Sequence, residues 1–309
     1  MESALMNSAR VYEAARSTPT TASRLAARAV QALLDEANLT PKPALVDQRG
    51  GGAHSDLTLA LMHRSACALL SCFEAIAIAC DRMPPSRQLR EHLGEIGRRG
   101  ERQMFATTGG INTHKGALWS LGLLVAGAVI SADADDPFAI AATAGAIARY
   151  SDSRAGGIFT HGARVQRLYG MRGARGEAEQ GFPHVVDIGF PALLDARSRG
   201  VPENCARLNA LMAIMAELDD TCLLHRGGLH ALHTARQGAR WVLNAGGTST
   251  SRGFAQLLEL DRELLRMNAS PGGSADLLAA TLFLDSLTRS SDAQRSAHDF
   301  DGDLALWKN

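Results

Sequence analysis

Apolar residues in this chain recur at the spacing of an α-helix, and glycine or proline stops each run. Leu25, Ala26, Ala29, Val30, Leu33 and Leu34 make one stripe, with Ser23 placed to cap it and Pro41 and Pro43 forbidding its continuation. Leu57, Leu61, Ala68, Leu69, Phe73 and Ile76 make a second over 56–80, ended by Pro84 and Pro85. Leu208, Leu211, Met212, Met215, Leu218 and Cys222 predict a third helix over 202–223. Further helices are expected over 137–150, 230–244 and from Ser274 to about Leu287. Strand–helix–strand alternation is absent, as is any repeat with a period of roughly 20–50 residues. Only 5% of residues are aromatic, and β-branched runs are scarce beside Ala and Leu. The pattern predicts an all-α fold: one domain of ten or more helices, its glycine-rich loops gathered at one end. Residues 1–21 read as a lead-in, 22–288 as the helical domain and 289–309 as a polar tail.

The formal net charge is zero over 309 residues, so no overall field draws the chain to nucleic acid or an anionic membrane. The apolar run 117–130 is shorter than the roughly 20 residues a bilayer crossing needs. No secretory leader opens the chain, and five cysteines without C-x-x-C spacing suit a reduced, cytoplasmic protein. Cations are almost all arginine; lysine occurs only at Lys42, Lys115 and Lys308. Two of those three fall in glycine-rich motifs, where a compact point charge suits an anionic ligand.

The polar residues concentrate between the helices. Glu36 to Asp56 holds Lys42 between two prolines, three consecutive glycines, His54 and the acids Glu36, Asp47 and Asp56. A glutamate in the last turn of a helix opposes the macrodipole, so Glu36 asks for a reason beyond solvation. Gly109-Gly110 feeds Asn112, Thr113, His114 and Lys115 into a helix N-terminus, where free N–H groups attract an anion. His114 reads equally as a cap or core histidine. Residues 156–162, which include His161, and 169–178, which include Arg175 and Glu177, are rich in Gly and Arg, as phosphate contacts or a solvent loop would be. Asp219 and Asp220 are placed near a helix C-terminus, an unfavourable position that a bound cation would offset. Arg226 follows in His225-Arg226-Gly227-Gly228. Ser274 is read as an N-cap, with Asp276 in the first turn after it.

Taken in order, these motifs resemble the triphosphoribosyl-dephospho-coenzyme A synthase family. L-T-P-K-P-x-L-V-D and G-A-H-x-D lie in 39–56 and G-x-N-T-H-K-G in 110–116. T-H-G follows at 160–162, Y-G-x-x-G-A-R-x-E-A-x-x-G-F-P at 169–183, D-T-x-x-x-x-R-G-G at 220–228 and G-G-S-A-D at 272–276. Three departures from the family pattern stand out: Ala44 for glycine, Leu57-Thr58 for Met-Asp, and Cys222 for Asn.

The resemblance implies transfer of a triphosphoribosyl group from ATP to the 2′-hydroxyl of 3′-dephospho-CoA, releasing adenine. The product would be the prosthetic-group precursor for the acyl-carrier subunit of malonate decarboxylase or citrate lyase; the three departures favour the malonate branch. A downstream transferase and that acyl-carrier subunit are the implied functional partners, and an oligomer is left open. An oxocarbenium-like transition state calls for nearby carboxylates, the hydroxyl for a base and adenine for a proton donor. On that chemistry Glu36 or Glu177 is the base and His54 or His114 the donor. Lys42, Lys115, Arg175 and Arg226, with Asn112, Thr113, His161 and Ser274, would contact phosphate or substrate. Mg²⁺ would be bridged by Asp219, Asp220, Asp56 and Asp276. Two other readings are a metal-dependent ADP-ribosyl or nucleoside hydrolase, and a non-catalytic CoA-binding accessory protein.

Overall fold

Most helices here begin at a side chain that accepts a backbone N–H, and those caps decide where the runs start. The computed structural model describes residues 20–154 and 161–306, with side chains at 20–154 and 164–289. Residues 1–19, Thr160, Lys308 and the side chain of His161 therefore lie outside the described residues. Helix α1, Thr21–Asn38, starts earlier than Ser23, because Thr20 is its cap and accepts the Ser23 N–H at 3.1 Å. The expected 56–80 helix is two, α2 (Leu59–Ala68) and α3 (Leu70–Ala79), which meet where the Leu69 N–H bonds Ala66 O at 3.1 Å. Thr58 caps α2 by accepting the Leu61 N–H at 3.2 Å. There follow α4 (Arg87–Thr108), α5 (Lys115–Ile130), α6 (Pro137–Ala148), α7 (His161–Tyr169) and α8 (Gly173–Glu179). A π-helical turn, His184–Gly189, runs into α9 (Phe190–Ser198). The chain closes with α10 (Glu203–Glu217), α11 (Thr221–Asn244), α12 (Ser251–Arg266) and α13 (Gly272–Leu306). Every regular element among the described residues is helical, and the sole extended pairing is an isolated bridge between Asp47 and Gly50.

Two boundaries differ from the expectation in ways that matter below. The helix expected over 202–223 ends at Glu217: Leu218 turns extended, and Asp220 caps a new helix, α11. Asp219 and Asp220 thus precede a helix start, where an acid is favoured, instead of opposing a helix end. That helix absorbs His225 to Gly228 and the run after it, kinking at Gly228 (φ 66°, ψ −161°). At the far end α13 runs past Leu287 to Leu306.

A helix that is apolar all round belongs inside. Helix α5 is such a helix: Ala117, Leu118, Leu121, Leu123, Leu124, Val125 and Ala126 are all buried. The first turns of α13, with Leu278, Ala280, Phe283 and Leu284, are its buried companion. Helices α1, α5 and α10 pack on α13, α3 packs on α1, α6 on α5, and α11 on both α10 and α12. The stretch Leu59–Ala79 is apolar and long enough to cross a bilayer by composition, yet half of its most apolar window is buried within the protein.

The loop after α1 is tied down by its own charges. Asp47 accepts from the Lys42 N–H at 2.9 Å and the Arg49 N–H at 2.7 Å, while Arg49 reaches Asp261 of α12 at 2.7 Å. Asp261 also accepts the Ala44 N–H at 2.8 Å. This explains Asp47 as a loop tie. Ala44, which stands where the family pattern has glycine, is held in the left-handed region at φ 54°. That region disfavours alanine by about 1–2 kcal/mol, while glycine loses about 0.4–1 kcal/mol through its freer unfolded chain. Ala44→Gly is therefore expected to raise stability by up to about 1 kcal/mol. Urea unfolding checks this, and a lower midpoint would show that the loop relieves the strain in another way.

Candidate functional site

The motifs meet around the start of α11, and Asp220 is the joint. Its side chain is buried and accepts from the N–H groups of Cys222 (2.8 Å) and Leu223 (3.4 Å), capping α11. The same carboxylate accepts from Gly273 N–H (3.2 Å), Ser274 N–H (2.8 Å) and the Ser274 hydroxyl (2.9 Å), so it caps α13 as well. Ser274 does not cap its own helix, as its hydroxyl is a donor to Asp220. Burial pushes the Asp220 carboxyl up, and these donors pull it back.

One turn into α13, Asp276 reaches the N-terminus of α5, where it accepts the Ala117 N–H. Gly116 is needed for that approach, because a Cβ there would overlap the Asp276 carboxylate. The N-terminus of α5 is thus met by the protein's own carboxyl group. Burial and then the charges of Glu36 and Asp220 push the Asp276 carboxyl well above the usual range. On the opposite wall, Lys42 is 1% exposed and donates to Glu36 Oε1 at 2.5 Å and Glu36 O at 2.6 Å. A buried ammonium thus compensates both the acid in the last turn of α1 and that helix's carbonyl end. Lys42, expected at phosphate, faces inward for that reason.

His114 completes this wall. It is buried, its Nδ1 lies 2.9 Å from the Ser65 hydroxyl, and its Nε2 has no partner. The Ser65 and Thr113 hydroxyls are 2.5 Å apart. Burial, with the Lys42 and His63 charges, lowers the His114 pKa to about 3, so the ring is neutral at pH 7. Asn112 Oδ1 accepts the Lys115 N–H at 3.2 Å, a local tie at the start of α5.

Two further groups flank the centre. Arg226 donates to His54 Nδ1 at 2.8 Å and to Ala53 O at 3.2 Å, which leaves the ring proton on Nε2, 2.9 Å from the Ser270 hydroxyl. Burial and Arg226 lower the His54 pKa against Asp56, so neither expected proton-donor histidine is a cation at neutral pH. On the other side Gly173 abuts Thr221, where a Cβ would come within 2.9 Å, and this brings α8 against the Asp220 joint. Glu177 of α8 is buried and accepts from His184 twice, at 2.8 Å from its N–H and 2.7 Å from Nδ1. Burial opposes charge on His184, but the Glu177 hydrogen bond and charge prevail and raise its pKa. His184 was not among the sequence candidates; its signal was its place immediately after Gly-Phe-Pro.

The four aspartates expected at Mg²⁺ do not form one donor set. Asp56 is 57% exposed beside His54, Asp219 pairs with Arg236 at 2.8 Å, and both oxygens of Asp220 are engaged by helix N-termini. Asp276 lies within electrostatic range of two other carboxylates, Glu36 and Asp220. No three His, Cys, Asp or Glu among the described residues are grouped to hold a metal ion. Of the four basic anchors, only Lys42 turns inward; Arg226 is exposed and folds back on His54 and the Ala53 carbonyl. Lys115 pairs with Glu101 at 2.9 Å, and the 66%-exposed Arg175 pairs with Glu179 at 2.8 Å, so these two stay on the open face. His161 begins α7, which packs on α11.

Comparison with known proteins decides between the readings of this centre. A model of the family described as ATP:dephospho-CoA triphosphoribosyl transferase matches residues 22–295. The chain belongs to that family. Proteins named "Probable 2-(5''-triphosphoribosyl)-3'-dephosphocoenzyme-A synthase" are close relatives. One from Pseudomonas fluorescens is 53% identical over 89% of this chain and 95% of its own length. One from Stutzerimonas stutzeri is 53% identical over 90% and 97% respectively, and one from Azotobacter vinelandii 52% over 87% and 93%. No solved structure matches. This member of the family is therefore an enzyme of triphosphoribosyl transfer between ATP and dephospho-CoA.

Glu177→Gln removes the charge that favours the His184 imidazolium. A group with a raised folded pKa adds stability that is complete below its unfolded value of about 6.5 and is lost as pH rises through the folded pKa. The variant is expected to lose about 2 kcal/mol near pH 6, consistent with a charged hydrogen bond, and less near pH 9. Thermal unfolding across that range tests the assignment, which a pH-independent loss would contradict.

Proposed function

We propose that this cytoplasmic enzyme transfers the 5-triphosphoribosyl group of ATP to the 2′-hydroxyl of 3′-dephospho-CoA, releasing adenine. The observation that carries the reading is the approach of Glu36 and Asp276 at the N-terminus of α5, two carboxylates walled by helix ends. Breaking the ribose C1′–N9 bond leaves cationic character on the sugar, and the Glu36 carboxylate, held by Lys42, offsets it. The bond that forms joins C1′ to the acceptor 2′-oxygen. The hydroxyl proton is taken up by a carboxylate, Glu36 or the Glu177–His184 pair, and a proton passes to adenine N9, so the overall step is proton-neutral. Asp276 is the better proton holder for the leaving base, because the neutral His114 and His54 rings are poor acids. Arg226 orients His54 toward Ser270, and Asp220 positions Asp276 without touching substrate. The triphosphate remains intact and serves as a handle, bringing its own counterions.

The product is the prosthetic-group precursor for the acyl-carrier subunit of malonate decarboxylase, the branch favoured by Ala44, Leu57-Thr58 and Cys222, with citrate lyase as the related case. Thr58 keeps the helix-capping role that an aspartate there would have. A downstream transferase and the carrier subunit are the functional partners. Incubating the protein with ATP and dephospho-CoA, then resolving adenine and the coupled product by mass, tests the reaction. Adenine formed without dephospho-CoA would mean a hydrolase, and no adenine at all a binding protein.

Asp276→Asn is expected to lower turnover by about 100-fold or more, the scale of a lost acid–base group. It should also raise stability at pH 7. A carboxyl with a raised folded pKa stabilises only below its unfolded value of about 3.9 and costs stability as pH climbs through the folded pKa. The gain should shrink as pH falls toward 4. Full activity in this variant would remove Asp276 from the proton path.

A further inference from the structure

Helix α4 carries a stripe that no motif announced. Arg90, Gly94, Arg98 and Glu101 follow at helical spacing on one side of α4, a span of about 16 Å at 1.5 Å per residue. The Asp152 side chain, 2% exposed, lies over Gly94, where a Cβ would overlap it, and bridges Arg98 at 2.7 Å and Arg90 at 3.5 Å. The Arg90 guanidinium lies over the Trp119 ring, 4.8 Å from its centroid, and its Nε is buried without a partner. Trp119 is fixed in turn from α8, since its Nε1 donates to Ala174 O at 3.2 Å. Lys115 sits one turn before Trp119 on α5, about 6 Å away, and meets Glu101 of the same α4 stripe.

We propose that this cation cluster of α4, α5 and α8 is a polyphosphate subsite, with Arg90 and Arg98 as its fixed cations and Lys115 and Arg175 at its ends. Its charge is right for that ligand. Burial depresses the Arg90 pKa; Asp152 opposes the fall, and the Arg175 and Arg98 charges deepen it. Arg98 and Arg175 are thus neighbouring cations of Arg90, and Asp152 is the one acid that acts on it. The other acids, Glu95, Glu101 and the largely covered Glu179, pair with exposed or half-exposed cations, contacts that an entering phosphate can exchange. A guanidinium held flat on an indole is already oriented for bidentate phosphate contact, with less side-chain freedom to lose than a solvated arginine. Lys115 opens α5, the helix whose N-terminus Asp276 also meets, so one end of the cluster lies at the same helix start as the acidic centre. A sugar at Asp276 would therefore meet the cluster at its Lys115 end.

The inference rests on the proposed reaction only for the source of the phosphate, which is the triphosphate of ATP or the pyrophosphate of dephospho-CoA. Calorimetric titration of the full chain with inorganic tripolyphosphate, ATP and dephospho-CoA reads binding without turnover. Arg90→Met and Arg98→Met are each expected to weaken tripolyphosphate binding about tenfold, the size of one charged hydrogen bond. Asp152→Asn removes the competing charge and is expected to tighten it. Loss confined to ATP assigns the triphosphate here, and loss confined to dephospho-CoA assigns the pyrophosphate. Should Arg90→Met fail to fold, Arg98→Met and Asp152→Asn still give opposite signs. Unchanged tripolyphosphate affinity in both, with only a lowered melting temperature, would make the cluster a structural tie and overturn the proposal. Absence of adenine release in the wild type would count against the reaction and leave these affinities standing.

Discussion

The arrangement of the site depends on one buried carboxylate. Asp220 satisfies the free N–H groups at the starts of two helices, α11 and α13, that are far apart in sequence. Each helix start left alone would bury unsatisfied donors, at about 1–3 kcal/mol apiece. Sharing one acceptor fixes both helices to the same point, and the rest follows from their registers. Asp276 comes one turn into α13 and meets the start of α5. Arg226 comes after a turn and a half of α11 and meets His54. Thr221, beside the joint, leaves room only for a glycine at the start of α8.

Around that joint, charge is placed by compensation more than by ligand reach. Glu36 sits at a helix end that repels it, and Lys42 is buried to make the position tolerable. Arg226 and Asp47 likewise serve the loops that carry His54 and Lys42. The centre therefore divides into an inner part, where Asp276 lies near Glu36 and Asp220 at helix N-termini, and an outer face, where Lys115 and Arg175 remain open to exchange partners. Such a division suits a substrate whose reacting sugar must be enclosed while its phosphates extend outward.

Much of this was legible in the chain. Helical-period apolar runs settled the all-α class because burial of a stripe is a local matter of spacing. Glycine-rich motifs marked the loops that approach one another, and their order pointed to the family that the comparisons establish. Charge direction was less legible. Apolar spacing alone places Asp219 and Asp220 at the close of a helix, because Leu218 and Cys222 continue it, yet Leu218 turns extended and Asp220 caps the next helix. His184, Ser65 and Ser270 carried no pattern, since each acts only through a partner brought from elsewhere in the chain.

By itself the sequence determined the helices, the chemical types present and the set of loops that hold them. It did so because periodicity, caps and breakers act within a few residues. Tertiary structure alone decided which acid is bound and which is free. Whether Lys42 faces a phosphate or Glu36, and whether Asp220 holds a cation or two helix ends, depends on desolvation by segments up to hundreds of residues away, and that term has no local signature.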